Sequence, residues 1–199
     1  MRRFTILLIA LAIVMGTPAA AGCLKCAVKV YVKALNDHDT EKALSYVAEE
    51  LRFVAPDTDM TLDRSALQRM LGWDVATNSQ IRYDELQWDG KVVNGSFTET
   101  NDFYELLGIT ERSYNLTFHF EDELIREIHL TNDAGPKMSE ALDPFLRWAG
   151  ARHAGVLEEI YPEGQLVFDE QSAEQWLTLL RKWGEEIGGP AQAQALPAR

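Results

Sequence analysis

The stretch between residues 81 and 130 constrains the fold most. It reads as four β-type segments in succession, 81–88, 91–103, 112–121 and 123–130. Their connections are short, so the strands are neighbours in one mainly antiparallel sheet. Asp89-Gly90 is a strong hairpin signal and the Glu121-Asp122-Glu123 corner a weaker one. Before and after this run the period changes to that of a helix.

On the N-terminal side, Val28, Tyr31, Val32 and Leu35 recur at i, i+3, i+4, i+7 and predict a helix over 27–35. Asp39 is placed to cap a second helix with Ala43, Leu44, Val47 and Ala48 on one face. A short strand at 51–54 follows. Asp63 then caps a third helix, in which Leu62 and Leu67 are spaced as a hydrophobic staple. Beyond the strands, Asp143-Pro144 reads as a cap and first helical residue of a helix reaching about residue 160. A last helix from about Glu170 carries Ala173, Trp176, Leu177, Leu180 and Trp183 on one stripe. Helices, then linked strands, then helices define an α+β chain. At 199 residues and 46% hydrophobic it suits one domain, spanning 27–132, with a helical extension over 136–187 and a disordered Gly/Ala/Pro-rich tail over 188–199.

The first 22 residues are expected to be a secretory signal: Arg2 and Arg3, an apolar run over 4–15, then Pro18 and the alanines up to Ala21. Cleavage has two readings. Ala19-Ala20-Ala21 fits release of a soluble protein, whereas Ala20-Ala21-Gly22-Cys23 is similar to a lipobox that would make Cys23 a lipidated N-terminus. Either way the product is extracytoplasmic, periplasmic or secreted, and any membrane attachment is through that lipid alone. Cys23 and Cys26, the two cysteines, form a CxxC with no preceding strand, which argues against thioredoxin-like redox chemistry and leaves a local disulfide or an idle Cys26. A net charge of −12 without a basic stripe excludes nucleic acid as a partner.

The carrying stretches "YVKALNDHDTEKALSYVAEELRFVAP", "DRSALQRMLGWD", "FTETNDFYELLGI" and "LTFHFEDELIREIHL" resemble the nuclear transport factor 2-like superfamily, the fold of SnoaL-like polyketide cyclases and ketosteroid isomerases. The likeness covers about 27–130, and its last two stretches look like a bacterial, extracytoplasmic branch. It implies three N-terminal helices packed in a curved, mainly antiparallel sheet, a cone with a pocket, with the C-terminal helices appended. No catalytic Asp, Tyr or His of the familiar members can be placed here by motif, and fold alone does not carry activity.

Strand parity supplies the site candidates. Asn94, Ser96, Thr98 and Thr100 form a small polar row, which leaves Phe97, Glu99 and Asn101 facing inward. A carboxylate drawn into an apolar cavity must find donors or raise its pKa, so Glu99 is the first candidate for an acid or base, with Asp74 second. Tyr31, Trp73, Phe97 and Phe118, with Glu99 and Asn101, are the expected ligand contacts; Trp88 is a further cavity candidate. Tyr114, Leu116, Phe118 and Phe120 share one face. An odd-numbered turn would add Leu124, Arg126, Ile128 and Leu130 to that face and put His119, Glu127 and His129 outside. The two histidines then read as surface or interface residues, not adjacent at metal-ligand spacing. Asn36-Asp37-His38-Asp39 is explained by helix capping, so neither a metal nor a cofactor is expected. The leading expectation is a protein that binds a small, largely apolar ligand in its cone. The alternatives are a cofactor-free isomerase or cyclase using Glu99 or Asp74, and a module that dimerises or docks a partner through the outer sheet face or the C-terminal helices.

Overall fold

The structure, a computed structural model, describes residues 23–55, 60–134 and 138–187. The expected signal segment and the expected disordered tail lie outside these. In chain order the elements are α1 (Leu24–Asn36), α2 (Thr40–Leu44), β1 (Val47–Ala55), β2 (Met60–Leu62), α3 (Arg64–Ala76), β3 (Gln80–Tyr83), β4 (Gln87–Asp89), β5 (Val92–Thr100), α4 (Asp102–Leu106), β6 (Arg112–Glu121), β7 (Leu124–Ala134), α5 (Met138–Arg152), α6 (Ala154–Ile160) and α7 (Glu170–Ile187). The strands form one open mixed sheet in the order β2-β1-β7-β6-β5-β3, with β4 also on β5. The β1–β7 pair is parallel and all other pairs are antiparallel.

Local chemistry sets the boundaries. Asp39 and Asp63 cap α2 and α3 by accepting from Lys42 N at 2.9 Å and Ala66 N at 2.7 Å. The second helix is shorter than its apolar spacing predicted, because Val47 and Ala48 are drawn into β1, where both are buried. The predicted strand 81–88 is two strands. Between them Leu86 turns into the core over Gly95, and a Cβ on Gly95 would meet Leu86 Cδ2 at 2.9 Å. The strand predicted over 91–103 stops at Thr100, since Asn101 turns the chain and caps α4 by accepting from Tyr104 N at 2.8 Å. Pro144 is inside α5 rather than at its start. Burial of Leu142 and Phe145 in one apolar cluster carries the helix through the lost amide. The helix breaks at His153, so the predicted single helix is α5 and α6.

The β6–β7 hairpin departs most instructively from expectation. Its turn, Asp122-Glu123, has two residues, both at positive φ, and pairs Glu121 with Leu124 and Phe120 with Ile125. An even turn would send Glu127 and His129 inward. A β-bulge at Arg126 shifts the register between His119 and Phe120, and parity is restored beyond it. Ile125 and Ile128 are therefore the buried pair, while Arg126 lies outside with Glu50 and Glu121, contrary to its expected place on the aromatic face.

Two apolar clusters result. One fills the concave side of the sheet beneath α1–α3. The other joins Trp73 of α3 and Phe103 of α4 to α5–α7, with Trp176 wholly buried at its centre.

Candidate functional site

Glu99 faces inward, as strand parity required, at the end of β5 where the sheet meets α3. Ser79 Oγ donates to its Oε1 at 2.8 Å and Asn101 Nδ2 to the same oxygen at 2.9 Å. Tyr114 OH donates to Oε2 at 3.4 Å. Ser79 is held by its own amide, which donates to the Asp74 carbonyl at 2.8 Å, in the turn that ends α3. Asp102 N donates to Thr77 O at 2.8 Å, tying the start of α4 to the same turn. Asn101 is thus a positioning residue in two directions: its oxygen caps α4 and its nitrogen holds Glu99.

Asp74 stands in the last turn of α3, close enough to Glu99 to feel its charge. Burial, and then the Glu99 charge, push Asp74 well above the usual carboxylate range. Glu99 is also raised by burial; its three hydrogen bonds and the Arg112 charge pull it back. Among the described residues Asp74 holds no side-chain hydrogen bond, so it is the better proton holder of the two. The hydroxyls of Tyr31 and Tyr114 are raised too, chiefly by burial, with the neighbouring carboxylates adding to it. Four elements, α1, α3, β5 and β6, therefore bring two carboxyls and two phenols to one end of the concave face.

The other expected contacts divide. Phe97 and Phe118 are 0% exposed and border no void that would admit water. Tyr31 meets Phe118 edge-on at 6.1 Å, and Phe97 stacks on Tyr114 at 6.5 Å. Trp73 turns away from this group to pack between Phe103 and Phe168 at 5.3 and 5.2 Å. Trp88 is 57% exposed and donates to Gly90 O, which removes it as a cavity residue. A crevice of about 10 Å³ beside Asp74, next to Leu35, His38 and Leu71, has room for one water. On the other side of Asn101 an open groove of about 440 Å³ runs between Asn78, Gln80, Thr100, Asp102, Glu105 and Ile109.

The turn 36–39 is used structurally, residue by residue. Asn36 exchanges two hydrogen bonds with the Ile81 backbone at 2.7 and 2.8 Å, Asp37 pairs with Lys33, His38 reaches Ser79 O at 3.1 Å and Asp39 caps α2. Cys23 and Cys26 form a disulfide, which occupies the sulfur that lipidation of Cys23 would require. His119, Glu127 and His129 come together on the convex face, with the two imidazole centroids 5.1 Å apart. That corrects the reading that the histidines are too far apart to share a ligand; the signal lay in cross-strand register, which chain spacing does not display.

The resemblance implied three helices ahead of the sheet, whereas β1 and β2 stand between α2 and α3. The described residues fold as an α+β chain on one open mixed sheet. No protein-family model matches the chain, and no curated protein matches it. Solved structures are similar to part of it. A nuclear transport factor 2-like protein of unknown function from Cytophaga hutchinsonii is 14% identical over 56% of this chain and 90% of its own, with a TM-score of 0.47. A Kribbella flavida protein provisionally described as a ketosteroid isomerase is 19% identical over 60% and 86%, with a TM-score of 0.48. A Methylobium petroleophilum protein of unknown function with a cystatin-like fold is 16% identical over 57% and 77%, with a TM-score of 0.49.

Proposed function

We propose that this nuclear transport factor 2-like chain is an extracytoplasmic protein that takes a small ligand at the Glu99 end of its cone and exchanges a proton with it. The observation that carries the reading is the Asp74–Glu99 pair: two carboxyls raised by burial, Asp74 further by the Glu99 charge, with Glu99 rich in hydrogen-bond donors and Asp74 without a side-chain hydrogen bond among the described residues. Such a pair divides naturally into a base and a proton-bearing acid. Tyr114 and Asn101 orient the base, and no cofactor is needed for this chemistry. Because the centre of the concave face is filled by Phe97 and Phe118, the ligand is small and at least partly polar, and reaches Glu99 past Asn101 from the groove. This narrows the expectation of a largely apolar ligand lodged deep in the cone. The N-terminal signal carries the proposed location, and the Cys23–Cys26 disulfide supports a freely secreted product over a lipid-anchored one.

The test is deuterium exchange into a panel of small enolisable ketones in D₂O, followed by proton NMR, for the unaltered chain and for Glu99→Gln. Exchange that is faster with the unaltered chain and lost in the variant supports the reading. Equal rates across the panel would sink it.

A second reading, binding without proton transfer, is favoured by the groove itself. Asp102 and Glu105 among its walls suit a cationic or polyhydroxylated ligand, and thermal stabilisation by such a compound that survives Glu99→Gln would select this reading.

A further inference from the structure

The convex face carries a second cluster, independent of the first. Glu127 and His129 are two residues apart on β7 and share one side of the strand. His119 on β6 is directly opposite Glu127, the closest cross-strand relation a sheet offers, and diagonal to His129. The bulge at Arg126 creates this arrangement: without it, the two-residue turn would bury Glu127 and His129 on the concave side. Bulges re-aim side chains and are retained for doing so.

One ligand atom from each of the three residues lies within 4.8 Å of the other two. His129 Nε2 is 3.1 Å from Glu127 Oε1, yet it is shielded from water and lacks a hydrogen-bond partner. A buried ring nitrogen beside a carboxylate without a proton aligned between them is the geometry that an ion completes. Around a tetrahedral ion with bonds of about 2.0–2.2 Å the donor atoms are roughly 3.5 Å apart, so small rotations of three half-buried side chains close the site. Arg52 Nη1 also lies 3.1 Å from Glu127 Oε1, and its side chain is 65% exposed, free to swing away.

We propose that His119, Glu127 and His129 bind a divalent transition-metal ion of the zinc class on the convex face, with Arg52 holding Glu127 in the ion's absence. Two imidazoles and one carboxylate suit Zn²⁺, Ni²⁺ or Cu²⁺ and disfavour Ca²⁺ and Mg²⁺, which take all-oxygen sites. Three protein ligands leave one position for water or a further donor.

The purified chain, prepared without a polyhistidine tag, is titrated with Zn²⁺ by calorimetry and with Co²⁺ by visible absorption. One ion per chain is expected, and excess Ca²⁺ or Mg²⁺ does not compete. His119→Ala and His129→Gln each weaken binding by more than about tenfold and abolish the Co²⁺ band. Arg52→Ala tightens it. Circular dichroism of each variant establishes that it is folded. The absence of Zn²⁺ binding by the unaltered chain overturns the proposal, as does binding that the folded histidine variants leave unchanged.

Discussion

Glu99 and Glu127 stand on opposite faces of the same sheet, and each has recruited a different kind of partner. Glu99, on the concave side, is met by neutral donors, Ser79, Asn101 and Tyr114, with a second carboxyl nearby. Glu127, on the convex side, is met by a guanidinium and an imidazole at 3.1 Å each. The difference follows from solvation. In the dry concavity the carboxylate is disfavoured, so its neighbours stabilise it by hydrogen bonds while burial moves its titration upward. On the outer face an exposed guanidinium, Arg52, serves instead. One face raises the titration of its carboxyls by burial, the other pairs a carboxylate with a guanidinium.

The contrast requires that the concave face be filled as well as dry. Phe97→Ala, at its centre, is expected to cost about 3–5 kcal/mol of unfolding free energy, the largest effect here, measured by chemical denaturation. Trp88→Ala, on an exposed ring, should change stability by less than about 0.5 kcal/mol. A Phe97 cost near that of Trp88 would mean a hollow cone and would restore the deep-pocket reading.

Ser79→Ala removes one of the two short hydrogen bonds to Glu99 and is expected to cost about 1–3 kcal/mol. It should also raise the Glu99 titration further, read by carboxyl ¹³C NMR. A Glu99 midpoint that does not move would show that the hydroxyl is not its support.

Asp74→Asn sharpens the comparison through pH. A carboxyl whose folded pKa lies above its unfolded value binds more protons when folded, so stability is greatest below the unfolded pKa. It declines as pH rises from there through the folded pKa, and levels off above. Asp74 and Glu99 both contribute in this sense. The variant is therefore expected to be more stable than the unaltered chain at neutral pH and to show a flatter decline, by about 1.4 kcal/mol for each pH unit that separates the folded from the unfolded midpoint. A melting temperature that rises with pH across the same window would contradict the direction of both shifts.

How much of this was legible in the sequence depends on which interaction set each feature. Inward Glu99 could be read because Asn94, Ser96 and Thr98 alternate with Val93 and Phe97, and alternation is geometric. That Asn101 leaves the strand was not readable from parity. Its capping hydrogen bond to Tyr104 competes with one more residue of β-ladder, and the sequence marks both outcomes with the same polar side chain. Ser79 as the principal donor was missed because it is 20 residues from Glu99 and reaches it only after β3 pairs with β5. The outward placement of Glu127 and His129 was anticipated for a reason that does not hold: the turn is even, and the bulge at Arg126 undoes its effect. Only the burial of both Ile125 and Ile128, three residues apart in a strand, signals that an extra residue lies between them.

That spacing decides what holds the bulge. Arg126 spans Glu50 at 3.3 Å and Glu121 at 2.9 Å, but all three side chains are exposed, and pairs of this kind contribute about 0–1 kcal/mol. Ile125 and Ile128 are wholly buried, and moving either to the wetted face forfeits far more. Arg126→Ala is accordingly expected to be the mildest change, within about 1 kcal/mol by denaturation, with the β6–β7 amide pattern intact in NMR. A larger loss, or a shift of Glu127 and His129 to the concave side, would mean that the ion pairs rather than the two isoleucines set the register on which the convex-face cluster depends.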